Sequence, residues 1–446
     1  MFARSSVQAL KNRVVRWNLF CNVTDGALAT LGWQLATGSF VISPFLRDAG
    51  ASDSTIGLIA TIVPLATFLI PVLAAGYVQS LRRKKPYVTL LGAIQRTHFF
   101  VMAGLAMLLL PAHPTAFLAL FVASSCVFVG SSQAVSPGWM DLVAKTTPPE
   151  KRATLFAMRN SIGILPTFFA AGLVTWLLTT PSLPFPSNYA TIFLISAISF
   201  GVSLIPITMI RERGGKTRPA QFNPLKIFRD IPRVLRRDGE FLRFILANCL
   251  LNIGGGMVGL FLMLTAADRF HISAGEISGK YMAVTAAVTV LGNILFVRVG
   301  NRFGHKFNIV LRSPLFALGC LIALFARNPW EFGVAFVPLT LAGSAGAVSQ
   351  MAMSMDFGSE RNRPRYYAIQ STVGQPIMAL GPLLGGVLRD TAPLGVSFGI
   401  AMALAMAGGA LQMTVRDPRG RGHARRAREA RAAALAEGGL VAEITR

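Results

Sequence analysis

The sequence predicts an all-α membrane protein with twelve transmembrane helices in two six-helix bundles. Three observations predict it. Of its 446 residues, 53% are hydrophobic and only 14% charged, with a mean hydropathy of +0.54; an ordinary soluble chain carries about 25% charged residues. Apolar runs of about 20 residues, the length that crosses a bilayer, recur along the whole chain. The basic residues collect in alternate loops. This composition leaves too little polar surface for a soluble enzyme, a disordered chain or a secreted disulfide scaffold. Cys21, Cys126, Cys249 and Cys320 lie in apolar runs with no metal-ligand spacing, and read as small buried hydrophobes.

The first six segments are predicted at 17–42, 56–79, 87–110, 115–138, 155–179 and 188–210. The second six are predicted at 243–266, 279–299, 308–326, 331–354, 367–388 and 393–414. Segment 1 is too long for a cleavable signal and is followed by many more spans, so it stays as a helix. The expected organisation is a cytoplasmic N-terminal segment (1–16), an N-terminal bundle (17–210), a cytoplasmic linker (211–242), a C-terminal bundle (243–415) and a basic cytoplasmic tail (416–446).

The net charge of +24 invites a nucleic-acid reading. The bases are instead dispersed between apolar spans, as the positive-inside rule requires. Arg4, Lys11, Arg13 and Arg16 precede segment 1, and Arg82, Arg83, Lys84 and Lys85 join segments 2 and 3. Lys145, Lys151 and Arg152 join segments 4 and 5, and a basic run from Arg211 to Arg243 joins the halves. Arg298, Arg302 and Lys306 follow segment 8, and Arg361, Arg363 and Arg365 follow segment 10. The loops at 111–115 and 180–188 have no Lys or Arg. Both termini are therefore expected in the cytoplasm, and the lipid bilayer, not nucleic acid, is the expected partner. In the linker, Leu225, Phe228, Ile231 and Leu235 recur at helical spacing between bases, which predicts an amphipathic helix on the inner leaflet.

The halves repeat. FAMRNSIG at 156–163 aligns with YAIQSTVG at 367–374, and the same offset sets Arg152 on Arg363. Met140-Asp141 matches Met355-Asp356, and STIG at 54–57 matches EISG at 276–279. Two repeated six-helix halves predict parallel bundles with a binding site between them near the midplane.

Ionisable groups inside spans are costly, so each is a candidate for function. Asp25 in segment 1 is the clearest, nine residues beyond Arg16. It is read either as a proton-coupling carboxylate or as half of a structural ion pair. Arg96 in segment 3 is its expected partner, and Arg159 in segment 5 competes. His98 reads as a hydrogen-bonded packing residue, and Arg269 and Lys280 as snorkelling cations. Gly254-x-Gly256-x-x-Gly259 lies inside a span with no preceding strand, so it reads as helix packing. Gly215-Lys216-Thr217 lacks the first glycine of a phosphate loop. No HExxH motif, Ser/His/Asp set or pair of intramembrane carboxylates marks an enzyme. Neither a metal nor another cofactor is expected.

With these features in place, the sequence resembles the major facilitator superfamily (MFS) of secondary transporters over about residues 15–415. The family's loop signature is Gly, three residues, Asp, Arg/Lys, one residue, Gly, then two bases. Loop 2–3 reads GYVQSLRRKK from Gly76: Gly76, Lys84 and Lys85 match, while Ser80 replaces the Asp and Arg83 the Gly. The copy in loop 8–9, Asn301-Arg302-Phe303-Gly304-His305-Lys306, is closer. The resemblance implies a gating role for Gly76, Arg82, Arg83, Lys84, Lys85, Asp141, Arg152, Arg302, Gly304, Lys306, Asp356 and Arg363. It also implies a cavity lined by segments 1, 4, 7 and 10. The candidates there are Thr30, Trp33, Gln34 and Thr37; Ser125 and Gln133; Asn248 and Asn252; and Gln350. GPLLGG at 381–386 resembles the family's antiporter motif but sits on segment 11 instead of segment 5, so it reads as that motif or as packing.

The expected function is ion-coupled secondary transport of a small, partly apolar organic solute by alternating access, proton-coupled and outward. The alternatives are an uptake permease or uniporter on the same fold, and a non-transporting sensor or assembly factor. The abundance of Ala, Arg and Gly suggests a bacterial inner membrane, and the protein is expected to act as a monomer.

Overall fold

The computed structural model describes residues 2–36, 40–212, 214, 224–357 and 363–416. Each of the twelve sequence segments appears as one helix or as a broken pair. Segment 1 comprises Phe2–Ala36 and Ile42–Asp48, and segment 2 comprises Asp53–Thr67 and Ile70–Ser80. Segment 3 is Lys85–Gly104 with a π turn at Leu105–Leu109. Segments 4, 5 and 6 are Pro114–Thr146, Pro149–Thr179 and Ser187–Met209. Segment 7 comprises Gly239–Gly259 and Leu262–Phe270. Segments 8, 9 and 10 are Ala274–Phe303, His305–Phe325 and Pro329–Phe357. Segment 11 comprises Arg363–Met378 and Leu380–Thr391, and segment 12 is Leu394–Thr414.

Ten of these are long and apolar enough to cross a membrane. Segments 1 and 5 are not among the ten, and they carry Asp25 and Arg159. Large apolar side chains, including Leu108, Phe169, Trp176, Leu291, Phe325 and Trp330, face outward and are more than half exposed. In water such a surface would drive association; against lipid tails it is matched.

The two halves pack alike. In the first, segment 1 packs on 5 and 6, segment 3 on 4 and 6, and segment 2 on 4. In the second, segment 7 packs on 11 and 12, segment 9 on 10 and 12, and segment 8 on 10. Adding six to each member of the first set gives the second. Between the halves the main contacts are segment 2 on 11 and segment 5 on 8, which exchange under the same rule. Glycine makes both crossings close. A Cβ on Gly57 would fall 2.3 Å from the Pro382 carbonyl oxygen, and one on Gly279 would fall 2.3 Å from that of Ala171.

The breaks in segments 1, 7 and 11 free carbonyls, and hydroxyls of the opposite half take them up. Ser43 Oγ donates to the Leu260 carbonyl at 2.9 Å and Thr61 Oγ1 to that of Ala379 at 2.7 Å. Ser278 Oγ donates to the Phe40 carbonyl at 3.0 Å.

The linker contains the predicted helix, at Pro224–Arg237. Ile231, Val234 and Leu235 pack on the core of the second half, while Arg229, Arg233, Arg236 and Arg237 are exposed. These three apolar side chains thus cover protein. Thr37, the side chains of Arg152, Leu225, Phe228, Asp356 and Arg363, and the tail beyond Arg416 lie outside the described residues.

Candidate functional site

Polar ties hold the basic end of segment 1 in place. Trp17 Nε1 donates to the Met209 carbonyl, and Asn18 exchanges hydrogen bonds with the Arg211 backbone. Two turns further on, Asp25 is buried, with 4% exposure. Both of the guanidinium partners considered from the sequence reach it at once. Arg96 donates to Oδ1 at 3.0 Å and Arg159 to Oδ2 at 2.9 Å.

Arg96 is further fixed by the carbonyls of Phe200 and Gly92 and by Ser203 Oγ, at 2.7, 3.0 and 2.8 Å. Arg159 donates to the Asn22 carbonyl at 2.6 Å and lies over the Trp139 ring, 4.8 Å from its centroid. Gly26, next to Asp25, leaves room for this: a Cβ there would fall 2.4 Å from Arg159 Cγ. One carboxylate and two guanidiniums leave a net charge of +1. The triad borders a cavity of about 200 Å³ together with Gln95, Ser132 and Trp139.

A second cavity of about 230 Å³ lies in the other half, lined by Gly346, Ala347, Gln350, Gln370, Gln375 and Met378. Gln350 is one of the lining candidates offered by the sequence, there for a cavity between the halves, whereas Gln370 and Gln375 were not singled out. Asn252 donates to the Asn248 carbonyl at 2.7 Å and accepts from Arg312 at 2.9 Å. Asn248 is fully buried and donates to the Phe244 carbonyl. Thr30 donates to the Gly26 carbonyl, and Gln34 to Thr167 Oγ1 at 3.4 Å. Trp33 lies 5.6 Å from the Phe128 ring, and Ser125 and Gln133 are half-buried on segment 4. Of these candidates only Gln350 lines either cavity. His98 bonds Ser124 Oγ at 2.7 Å and stacks on Phe128.

At the basic end, Lys84 is buried, donates to the Val78 carbonyl and pairs with Asp141 at 3.4 Å. Glu212 supplies a carboxylate where loop 2–3 lacks its Asp: it accepts the backbone N–H of Lys84 at 2.8 Å and of Lys85 at 2.9 Å, and pairs with Lys145. Lys85 Nζ donates to the Thr208 carbonyl at 2.8 Å. Gly76 is buried, and Arg82 and Arg83 are exposed. In the second copy Gly304 has φ +92°, a value that favours glycine. Arg302 lies over the Phe303 ring, and Lys306 donates to the Met413 carbonyl at 2.8 Å.

The opposite end, poor in bases, carries a four-charge lock between the halves. Arg47 bonds Asp268 at 2.6 Å and Asp53 at 3.0 Å; Arg389 bonds Asp53 at 2.5 Å and also Asp268. Asp390 accepts the Ser54 N–H at 2.8 Å. Among the described residues, every ion pair joining the halves lies here. Sequence reading missed the lock; its only signal is acid and base together in loops otherwise nearly uncharged. Arg269 and Lys280 have partners at this end: Arg269 donates to the Leu324 carbonyl at 2.8 Å, and Lys280 lies over Trp330.

The family profile described as Major Facilitator Superfamily matches residues 26–348 and 244–443. The chain belongs to the major facilitator superfamily. This MFS chain is 29% identical over 149 residues to the class H tetracycline resistance protein of Pasteurella multocida, a match covering 33% of this chain and 36% of that protein. It is 27% identical over 159 residues to the Na(+), Li(+), K(+)/H(+) antiporter of Planococcus maritimus, covering 34% and 35% respectively. The matches thus span about a third of these relatives' length. Among solved structures, a D-xylose-proton symporter superposes with a TM-score of 0.69 at 13% identity, over 90% of this chain and 98% of that one. A bacterial homologue of the iron transporter ferroportin gives 0.70 at 13% identity, over the same 90% and 98%. These likenesses show a multi-pass MFS fold.

Proposed function

We propose that this protein is a secondary active transporter that exports a small organic solute by alternating access, with Asp25 carrying a coupling proton. The observation that carries the reading is the Asp25 carboxylate, buried at a cavity wall and shared by two guanidiniums. Both its oxygens accept a guanidinium N–H, and departure of one arginine would open the carboxylate to a proton. Arg159, on a segment that also crosses to the other half, is the one with fewer other bonds. The lock at the base-poor end supports a conformation closed on that side, with both cavities nearer the basic loops. With the basic side cytoplasmic, as the positive-inside rule favours, this is an inward-open state poised to load solute.

Export is favoured over uptake by the names of the tetracycline-resistance and antiporter relatives and by the glycine-proline run on segment 11. That run also has a packing role: Gly381 and Gly385 meet the Ile253 and Met257 carbonyls, and Gly386 meets that of Asp53. The protein is proposed to work as a monomer in the inner membrane.

The test is a proteoliposome assay with an imposed pH gradient. Tetracyclines and small organic acids would be supplied as solutes, and internal pH followed with a trapped dye. Solute-dependent proton movement in wild type that disappears in Asp25→Asn is expected. Solute accumulation that ignores the pH gradient in both proteins would sink proton coupling.

A further inference from the structure

Arg312 on segment 9 is half-buried inside the second half, and none of the ion pairs among the described residues includes it. Its one hydrogen-bonding partner among those residues is the neutral Asn252 amide, 2.9 Å away. The first half offers a direct contrast. There the corresponding pair of segments, 1 and 3, joins Arg96 to a carboxylate, Asp25. Segments 7 and 9 join Arg312 to an amide, so among the described residues its charge has no carboxylate partner. A lone guanidinium within a span is expensive, and such residues mark binding pathways.

Its surroundings lead to the second cavity. The guanidinium lies against Gly346: a Cβ on that glycine would come within 3.3 Å of its Cζ, Nε and Nη1. Gly346 lines the cavity with Gln350, Gln370 and Gln375. Gln370 Oε1 is buried and accepts no hydrogen bond among the described residues. Among the described residues, the charges bordering the first cavity are Arg96, Arg159 and Asp25, and Arg312 lies behind Gly346 at the second, a net +2. That field repels a cation and attracts an anion.

We propose that Arg312 is the anchor for an anionic group of the transported solute. The solute is an organic carboxylate whose own N–H or O–H donates to Gln370. This rests on the transport reading above. Guanidinium suits the role because its planar fork meets a carboxylate with two parallel hydrogen bonds. The absence of a side chain at Gly346 leaves that fork open towards the cavity. The competing role is purely mechanical, with Arg312 tying segments 7, 9 and 10 together.

The test measures binding, so its failure is separate from failure of transport. The purified protein in detergent is unfolded thermally with glycolate, mandelate, salicylate and hippurate, each of which carries an O–H or N–H beside its carboxylate, and with the matching neutral amides. At least one carboxylate should raise the unfolding temperature of wild type where its amide does not. Arg312→Gln should weaken that carboxylate at least tenfold, and Arg312→Lys should weaken it less. Gly346→Val keeps the arginine but covers its open face, and should also lose the carboxylate; it serves if Arg312→Gln does not fold. Equal protection by acids and amides, no protection by any of them, or full protection retained in Arg312→Gln or Gly346→Val would overturn the proposal. Flux of a neutral solute in proteoliposomes alongside such a failure would leave the transport reading standing.

Discussion

Gly57 and Gly279 occupy matching places in the two halves, and each lets its helix meet a backbone carbonyl of the opposite half. Gly57 rests on Pro382 and Gly279 on Ala171. A side chain at either position would push the crossing apart. Overpacking of this kind costs about 1–3 kcal/mol. Gly57→Val and Gly279→Val should each lower the unfolding temperature and loosen the closed end. With the four native cysteines replaced, a cysteine at Ser43 should then react faster with an impermeant thiol reagent. An unchanged labelling rate would mean that the crossings do not hold that end shut.

Asp53 is buried and joins Arg47 to Arg389. Asp53→Asn leaves two arginines without that partner; breaking a fully buried pair from one side costs about 3–5 kcal/mol, and the cost here is smaller because both arginines keep Asp268. The same cysteine probe should become more reactive. The double change Asp53→Asn, Arg389→Gln should recover part of the lost stability, since one stranded charge is gone. Additive losses in a double-mutant cycle would argue against the lock.

Asp25→Asn preserves the shape of the site and removes the proposed proton carrier. Downhill exchange of solute should persist, while accumulation against a gradient stops. Loss of both in folded protein would assign Asp25 to structure.

The two arginines around Asp25 should not be equivalent. Arg96 also satisfies two carbonyls and Ser203, so Arg96→Gln strands more buried acceptors than Arg159→Gln does. Its stability loss should be larger by about 1–2 kcal/mol, read from thermal unfolding in detergent.

Glu212→Gln should cost about 1 kcal/mol, because an anion at the start of segment 3 is replaced by a neutral amide. Comparing unfolding temperatures checks this, with Lys145→Gln expected to recover little.

Segment positions were legible because a bilayer imposes length and composition on each span. Asp25, Arg96 and Arg159 were legible as a group for the same reason: charge inside a span is conspicuous. Their simultaneous contact was not, because helical spacing gives the face of a residue and not which of two helices lies opposite. Arg312 went unnoticed beside more conspicuous motifs, although it lies only six residues beyond Lys306. The lock was hidden because Asp53, Asp268 and Arg389 are far apart in sequence and ordinary at helix ends. The missing loop Asp was conspicuous, but its substitute, Glu212, lies in a different loop and only folding brings it there.

Segment 1 is synthesised long before the arginines that neutralise its carboxylate. Arg96 follows Asp25 by 71 residues and Arg159 by 134. An aspartate within a lone span opposes insertion by up to about 2.5–3.5 kcal/mol, the value at the helix centre. Segment 1 is therefore poorly able to settle by itself, and becomes secure only when segment 3 arrives. Nascent chains halted before Arg96 should hold segment 1 in the bilayer less completely than chains halted after segment 3, and Asp25→Leu should erase the difference. The ion triad around Asp25 would thus also set the order in which the molecule enters its membrane.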